Sequence, residues 1–183
     1  MPQPLAPLVQ LSHHRWVLPL VAAIGSGQRF AVLLKQLDTN RQSLKRALSI
    51  GEELGLVTPN PGYGHPLRPE YLLTPRGHVI APQASAVIHA ATRAGWSELL
   101  TKKWSLPVLT AVRLGADRYS KIEELLETAS PRAISKALDE LAEPRLIRRT
   151  DPRAPRPRYE VAPAARRLAR SGVALAEVGS LAS

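Results

Sequence analysis

The signature Trp-x-Leu-Pro occurs twice, at Trp16 and at Trp104, and opens two similar segments, WVLPLVAAIGSGQRF and WSLPVLTAVRLGADRY. The likeness continues downstream. Trp16 and Trp104 lie 88 residues apart, Phe30 and Tyr119 89, Leu48 and Leu138 90, Leu56 and Leu146 90, and Tyr71 and Tyr159 88. So slow a drift is the mark of small insertions in a duplicated unit. RPEYLLTP from Arg68 and RPRYEVAP from Arg156 keep Arg, Pro, Tyr and the second Pro in place. The chain is therefore expected to hold two tandem copies of about 75 residues, a size at which a domain can bury a core of its own. The expected division is a first domain over 1–80, a helical linker over 81–103, a second domain over 104–170 and a C-terminal tail over 171–183.

In each copy the spacing predicts the same elements. A first helix begins near the Trp and carries Leu18, Val21, Ala22 and Ile24, or Leu106, Leu109, Val112 and Leu114, on one apolar face. Pro19 and Pro107 fall in its first turn, where a missing N–H costs little. Gly25-Ser26-Gly27 and Gly115-Ala116-Asp117 turn the chain. After a short extended piece at Phe30 or Tyr119, AVLLKQL and SKIEELLE form a second helix, buried through Leu33 and Leu37 or Ile122 and Leu126. The breaks at 38–40 and 127–130 offer caps for a third helix. In that helix Leu44 and Leu48, or Ile134, Leu138 and Leu141, face inward. The β-prone pairs LVT and EYLLT, and LIRRT and RYEVA, flank Pro-, Gly- and Arg-rich tips and predict a hairpin in each copy. Between the copies, Ala86, Val87, His89, Ala90 and Ala94 recur at helical spacings, which predicts a helix that joins the domains and packs between them. The fold class is mainly α with small β-hairpins, an α+β chain.

Helix, short strand, helix, turn, helix and hairpin is the order of a winged helix-turn-helix domain. With Trp16, Arg29-Phe30, the Leu33 to Leu37 helix, Leu44, Leu48, Gly55-Leu56-Val57, Glu70-Tyr71-Leu72-Leu73-Thr74 and Gly77, the first copy resembles the HxlR-type bacterial regulators. The second copy keeps Trp104, Arg118-Tyr119, Leu138, Leu141, Leu146-Ile147 and Arg158-Tyr159 but lacks the Gly before the hairpin, so its likeness rests on the repeat. The resemblance implies binding of double-stranded DNA in the bacterial cytoplasm, as a transcriptional regulator or a nucleoid-associated protein. Proteins of this kind commonly carry a cysteine shortly before the Trp, in some of them used for redox or aldehyde sensing; the chain has no cysteine, and that chemistry is not implied. They usually pair as homodimers of one-domain chains. Two domains in one chain imply an intramolecular pseudo-dimer, with a further homodimer left open.

Charge agrees with a polyanionic partner, at a formal net +10 and an isoelectric point near 10.7. The third helices present Arg41, Gln42, Lys45 and Arg46 in the first copy and Arg132, Ser135 and Lys136 in the second. Arg and Gln suit guanine and adenine edges, while Lys and Ser more often hold phosphates. The second hairpin tip adds Arg148, Arg149, Arg153, Arg156 and Arg158, and the first adds Arg68, with Tyr63 and His65 as backbone contacts. Any one of these also fits the solvated face of an amphipathic helix; the case is collective. Glu123, Glu124 and Glu127 line the second helix of copy two, where they oppose a passing backbone. The expectation is thus that copy one binds mainly through its helix and copy two through its wing.

Other chemistry is thinly represented. The five histidines show no metal-ligand spacing, and no nucleophile elbow, phosphate-binding loop or zinc-protease motif is present, so neither enzyme activity nor a cofactor is expected. No apolar run reaches the ~20 residues of a membrane span, and the N-terminus lacks a signal-peptide layout, so no membrane association is expected. The alternative reading is a winged-helix scaffold that binds proteins and no DNA.

Overall fold

The computed structural model of the chain describes residues 5–62, 69–150 and 156–181. The first half runs α1 (Ala6–Ser12), α2 (Val17–Ile24), β1 (Gln28–Arg29), α3 (Phe30–Gln36), α4 (Arg41–Glu53), β2 (Val57–Pro59), β3 (Glu70–Leu73) and α5 (Pro75–Arg93). A 3-10 turn over Ser97–Thr101 leads to α6 (Ser105–Arg113), α7 (Tyr119–Leu125), α8 (Pro131–Ala142), β4 (Ile147–Arg149), β5 (Tyr159–Val161) and α9 (Arg166–Leu181). The described chain is mainly helical with small antiparallel sheets, the expected class.

Local chemistry sets these boundaries. Trp16 and Trp104 sit immediately before α2 and α6. Asn40 caps α4 by accepting from the Ser43 N–H at 2.8 Å, and Ser130 caps α8 by accepting from the Ala133 N–H at 3.3 Å. Along α4 and α8 the burial pattern is identical for ten residues, 41–50 and 131–140, with Leu44, Ala47 and Leu48 matching Ile134, Ala137 and Leu138 as the buried positions. Extended pairing ends one residue earlier than the sequence suggests. Arg29 and Arg118 are extended, while Phe30 and Tyr119 already begin α3 and α7. β1 pairs with β3, and β3 with β2, giving the order β1-β3-β2; in the second half Arg118 makes only an isolated bridge to Arg158 beside the β4-β5 ladder.

One backbone feature explains the glycine that the second half lacks. Gly55 and Arg145, 90 residues apart, both take the left-handed conformation that ends α4 and α8, at φ 65° and 58°. An L side chain is strained there by about 1–2 kcal/mol, part of which glycine's larger unfolded-state entropy offsets. Arg145 is exposed. Arg145→Gly is expected to stabilise the chain by about 0.5–1 kcal/mol, read as a higher denaturation midpoint at unchanged m-value.

Two helices tie the halves together. α5 packs on α2 and on α9; α9 packs on α6 and on α1; α1 reaches α2 and α6, and the 3-10 turn reaches α5 and α6. The buried stripe of α5 is Gly77, Ile80, Ala84, Val87, Ala90 and Ala91, and that of α9 is Leu168, Ala169, Gly172, Leu175, Ala176 and Gly179. Both keep the i, i+3, i+4 spacing of a seam, with small residues that let backbones approach.

These positions revise three expectations. The linking helix starts at Pro75 and ends at Arg93, well before residue 103, and its buried face passes through Ala84, Val87 and Ala91; Ala86 is half-buried, and His89 and Ala94 are exposed. Residues 171–181, expected as a tail, form most of α9. α1 precedes the first Trp and carries buried Leu8, Val9 and Leu11, with Leu5 buried just ahead of it.

Candidate nucleic-acid interface

The outward face of α4 follows from its buried one. With Leu44, Ala47 and Leu48 turned to the core, helical geometry turns Gln42, Lys45 and Arg46 away from it, while Arg41, on the Leu48 side, clears the core as the first residue of the helix; all four are exposed. Among the described residues none of the three cations is ion-paired, and the first carboxylates along the helix are Glu52 and Glu53, at its far end. α4 thus offers an uncompensated positive N-terminal half.

The C-terminal end of α4 is clamped by the start of α5. Thr74 Oγ1 donates to the Gly55 carbonyl at 2.6 Å and accepts from the Gly77 N–H at 3.0 Å, and Arg76 Nη1 donates to the Leu54 carbonyl at 2.9 Å. Orphan carbonyls at a helix end are thereby satisfied, and the angle of α4 is fixed relative to the hairpin.

On α8 the expected residues Arg132, Ser135 and Lys136 are exposed at the matching positions. Their surroundings differ. Glu140, where α4 has Ile50, lies 3.1 Å from Lys102 and 3.9 Å from Lys136. Asp139, where α4 has Ser49, pairs with Arg149 at 3.3 Å. Glu123, Glu124 and Glu127 are exposed on and just after α7, as expected.

The second hairpin is less free than its composition suggests. Arg148 pairs across the strands with Glu160 at 2.8 Å, a contact set by the register Arg148↔Glu160. Arg158 pairs with Asp117 at 3.1 Å, and Asp117 also accepts from Lys121 at 2.9 Å. The Lys121 hydrogen bond is the main cause holding the Asp117 carboxyl below its ordinary value, with Arg158 and Arg118 adding to it. Arg149 lies 5.9 Å from the Tyr159 ring centroid. Arg156 is exposed. Arg68 and Arg153, with Tyr63 and His65, lie outside the described residues. The Arg148 pair follows from cross-strand register and was open to sequence reasoning; the Asp117 and Asp139 pairs join positions 41 and 10 residues apart and required the fold.

Next to the helices, sequence reading missed a group of basic residues before each Trp. His13, Arg15, Lys102 and Lys103 are exposed, and His14 is half-buried. The Arg15 guanidinium lies 4.9 Å from the Trp16 ring centroid, and the Lys103 ammonium 5.0 Å from that of Trp104. His13 meets Trp104 edge-on at 5.6 Å. Its partial burial, with Lys103 and His14 close by, keeps the His13 imidazole below its ordinary value, hence largely neutral at pH 7. The repeated position just ahead of the Trp was the available signal.

Among the described residues no cluster of His, Asp and Glu fit to hold a metal is found, and no helix is long and apolar enough to cross a membrane. No curated protein and no solved structure matches the chain. Residues 99–181, from the 3-10 turn through α9, match the family model described as HxlR-like helix-turn-helix, so the second half is similar to a family of DNA-binding transcription regulators.

Proposed function

We propose that the chain is a transcriptional regulator made of two tandem winged helix-turn-helix domains that form an intramolecular pseudo-dimer on double-stranded DNA. The observation that carries this reading is the row Arg41, Gln42, Lys45 and Arg46, exposed on α4 with no carboxylate against it among the described residues. α4 and α8 are the two recognition helices. Arg41, Gln42 and Arg46 read base edges, and Lys45, Arg132, Ser135 and Lys136 hold phosphates.

The tandem reading is supported by the identical burial of 41–50 and 131–140 and by reciprocal packing. α1 of the first half lies on α9 of the second, and the 3-10 turn ahead of α6 lies on α5 of the first. Such an exchange is what a two-fold-related pair makes. In this reading the two domains span about 1–93 and 94–181, and each ends in the helix that packs against the other.

Arg148, Arg149, Arg156 and Arg158, with Arg153 and Arg68, contribute as wing contacts. Their observed ion pairs are largely exposed, and exposed pairs are worth only about 0–1 kcal/mol, so a phosphate can displace the carboxylate. The paired wing and the acidic α7 favour a smaller electrostatic share for the second half than for α4.

Arg41→Ala combined with Arg46→Ala is expected to weaken duplex binding about 100-fold at 0.1 M salt, from about 1–3 kcal/mol for each arginine, with helix content unchanged by circular dichroism. Unaltered affinity in this variant would exclude α4 as the reading element. Duplex binding weakened on every sequence to the same extent would reduce it to a phosphate contact.

A further inference from the structure

Two clefts flank the tryptophans at matching positions. One, of about 290 Å³, lies where residues 13–16 meet Arg46 and its neighbours on α4. The other, of about 420 Å³, lies where residues 101–104 meet Lys136 and Glu140 on α8. The segments before α2 and α6 correspond at an offset of 88 and the helix positions at 90, the offsets of the repeat itself. The clefts adjoin, because His13, which lines the first, packs against Trp104, which lines the second. Between Arg46 on α4 and Lys136 on α8, the exposed cations Arg15, Lys103 and Lys102 form a band that joins the two clefts.

We infer that this band is a separate phosphate-binding element, holding the DNA backbone in the stretch between the two half-sites while α4 and α8 enter the grooves on either side. The inference rests on the duplex-binding reading and adds a contact outside the helix faces and the wings. Three features suit the band to backbone phosphate. Arg15, Lys102 and Lys103 are exposed. Arg15 and Lys103 are already ordered over Trp16 and Trp104, so less side-chain freedom is given up on binding. The permanent charge of the first cleft comes from Arg15 and Arg46, and no carboxylate lines that cleft.

The two clefts are unequal. Glu140 holds Lys102 and Lys136 in the second and also accepts from Ser105 Oγ at 3.2 Å, whereas Ile50 occupies its place in the first. Glu140 therefore competes with phosphate for the same lysines.

The test is a salt series with the full chain and a fluorescent duplex. Combining Arg15→Ala, Lys102→Ala and Lys103→Ala is expected to reduce the slope of log affinity against log salt by about 2–3, at roughly 0.9 for each phosphate no longer neutralised, and to lower affinity about 30-fold or more at 0.1 M salt. The ratio between different duplex sequences should not change, because backbone contacts carry no direct sequence information. Glu140→Gln is expected to act in the opposite sense, tightening binding about 3-fold. A wild-type slope in the triple variant with normal helicity would overturn the band, as would a Glu140→Gln chain that binds no tighter than wild type. Absence of duplex binding by the wild-type chain would instead remove the duplex-binding reading, and the band with it; Arg41→Ala with Arg46→Ala losing affinity while the triple variant does not would remove the band alone.

Discussion

Leu175→Asp is expected to abolish the cooperative thermal transition of the chain, or to lower its midpoint by about 10–20 °C. Leu175 is fully buried on α9, between Leu168 and Gly179 on the stripe that meets α5, α6 and α1. Aspartate there removes a leucine worth about 2–5 kcal/mol of packing and adds a carboxylate that must be buried unpaired or protonated. A domain's whole stability is about 5–15 kcal/mol, so the penalty takes a large fraction of it. The loss should spread to both halves, since α9 is shared by their seam. Glu177→Gln, two residues on and exposed, should leave the transition where it is. Calorimetry of the two variants separates the outcomes: a wild-type midpoint for Leu175→Asp would mean that residues 171–181 are the tail their position suggests.

Gly77→Ala should cost about 2–3 kcal/mol and lower the midpoint by about 6–10 °C, despite alanine's better helix propensity. A Cβ at Gly77 would overlap the carbonyl oxygen of Leu56 and come within 3.2 Å of Leu73 Cβ. The obstacle is backbone and cannot rotate away. The strain therefore moves the β2 start against α5, and with it the clamp that Thr74 makes on Gly55 and that Arg76 makes on Leu54. Because that clamp fixes α4, DNA affinity should fall along with stability. Urea unfolding measures the first effect and duplex titration at a temperature where the variant remains folded the second. Full stability in Gly77→Ala would mean that β2 and α5 separate more easily than their packing implies.

The sequence exposed the parts of this fold that repeat with strong contrast. The alternation of leucines and cations in 41–48 and 131–138 fixes which face of α4 and α8 is buried, and Asn40 and Ser130 stand where caps are needed. The parts that stayed hidden have weak contrast. α9 buries mainly Ala and Gly besides Leu168 and Leu175, small residues whose burial depends on a neighbouring helix rather than on their own hydrophobicity. In α5 the exposed Pro82 sits inside the helix and suggests a boundary that the packing overrides. α1 spans seven residues, too short for periodicity to identify. At the candidate interface the cationic residues were legible by type, but whether each is free depends on partners brought together by the fold. α4 keeps its charge open, whereas the second hairpin commits much of its charge to Asp117, Asp139 and Glu160.

Binding of double-stranded DNA by the paired halves can be measured by fluorescence anisotropy of a labelled random duplex with the full chain across a salt series, against a single-stranded control. The expected result is preference for the duplex and an affinity that falls linearly in log K against log salt, the signature of counterion release. No duplex binding even at low salt would contradict it and favour a protein-binding scaffold instead.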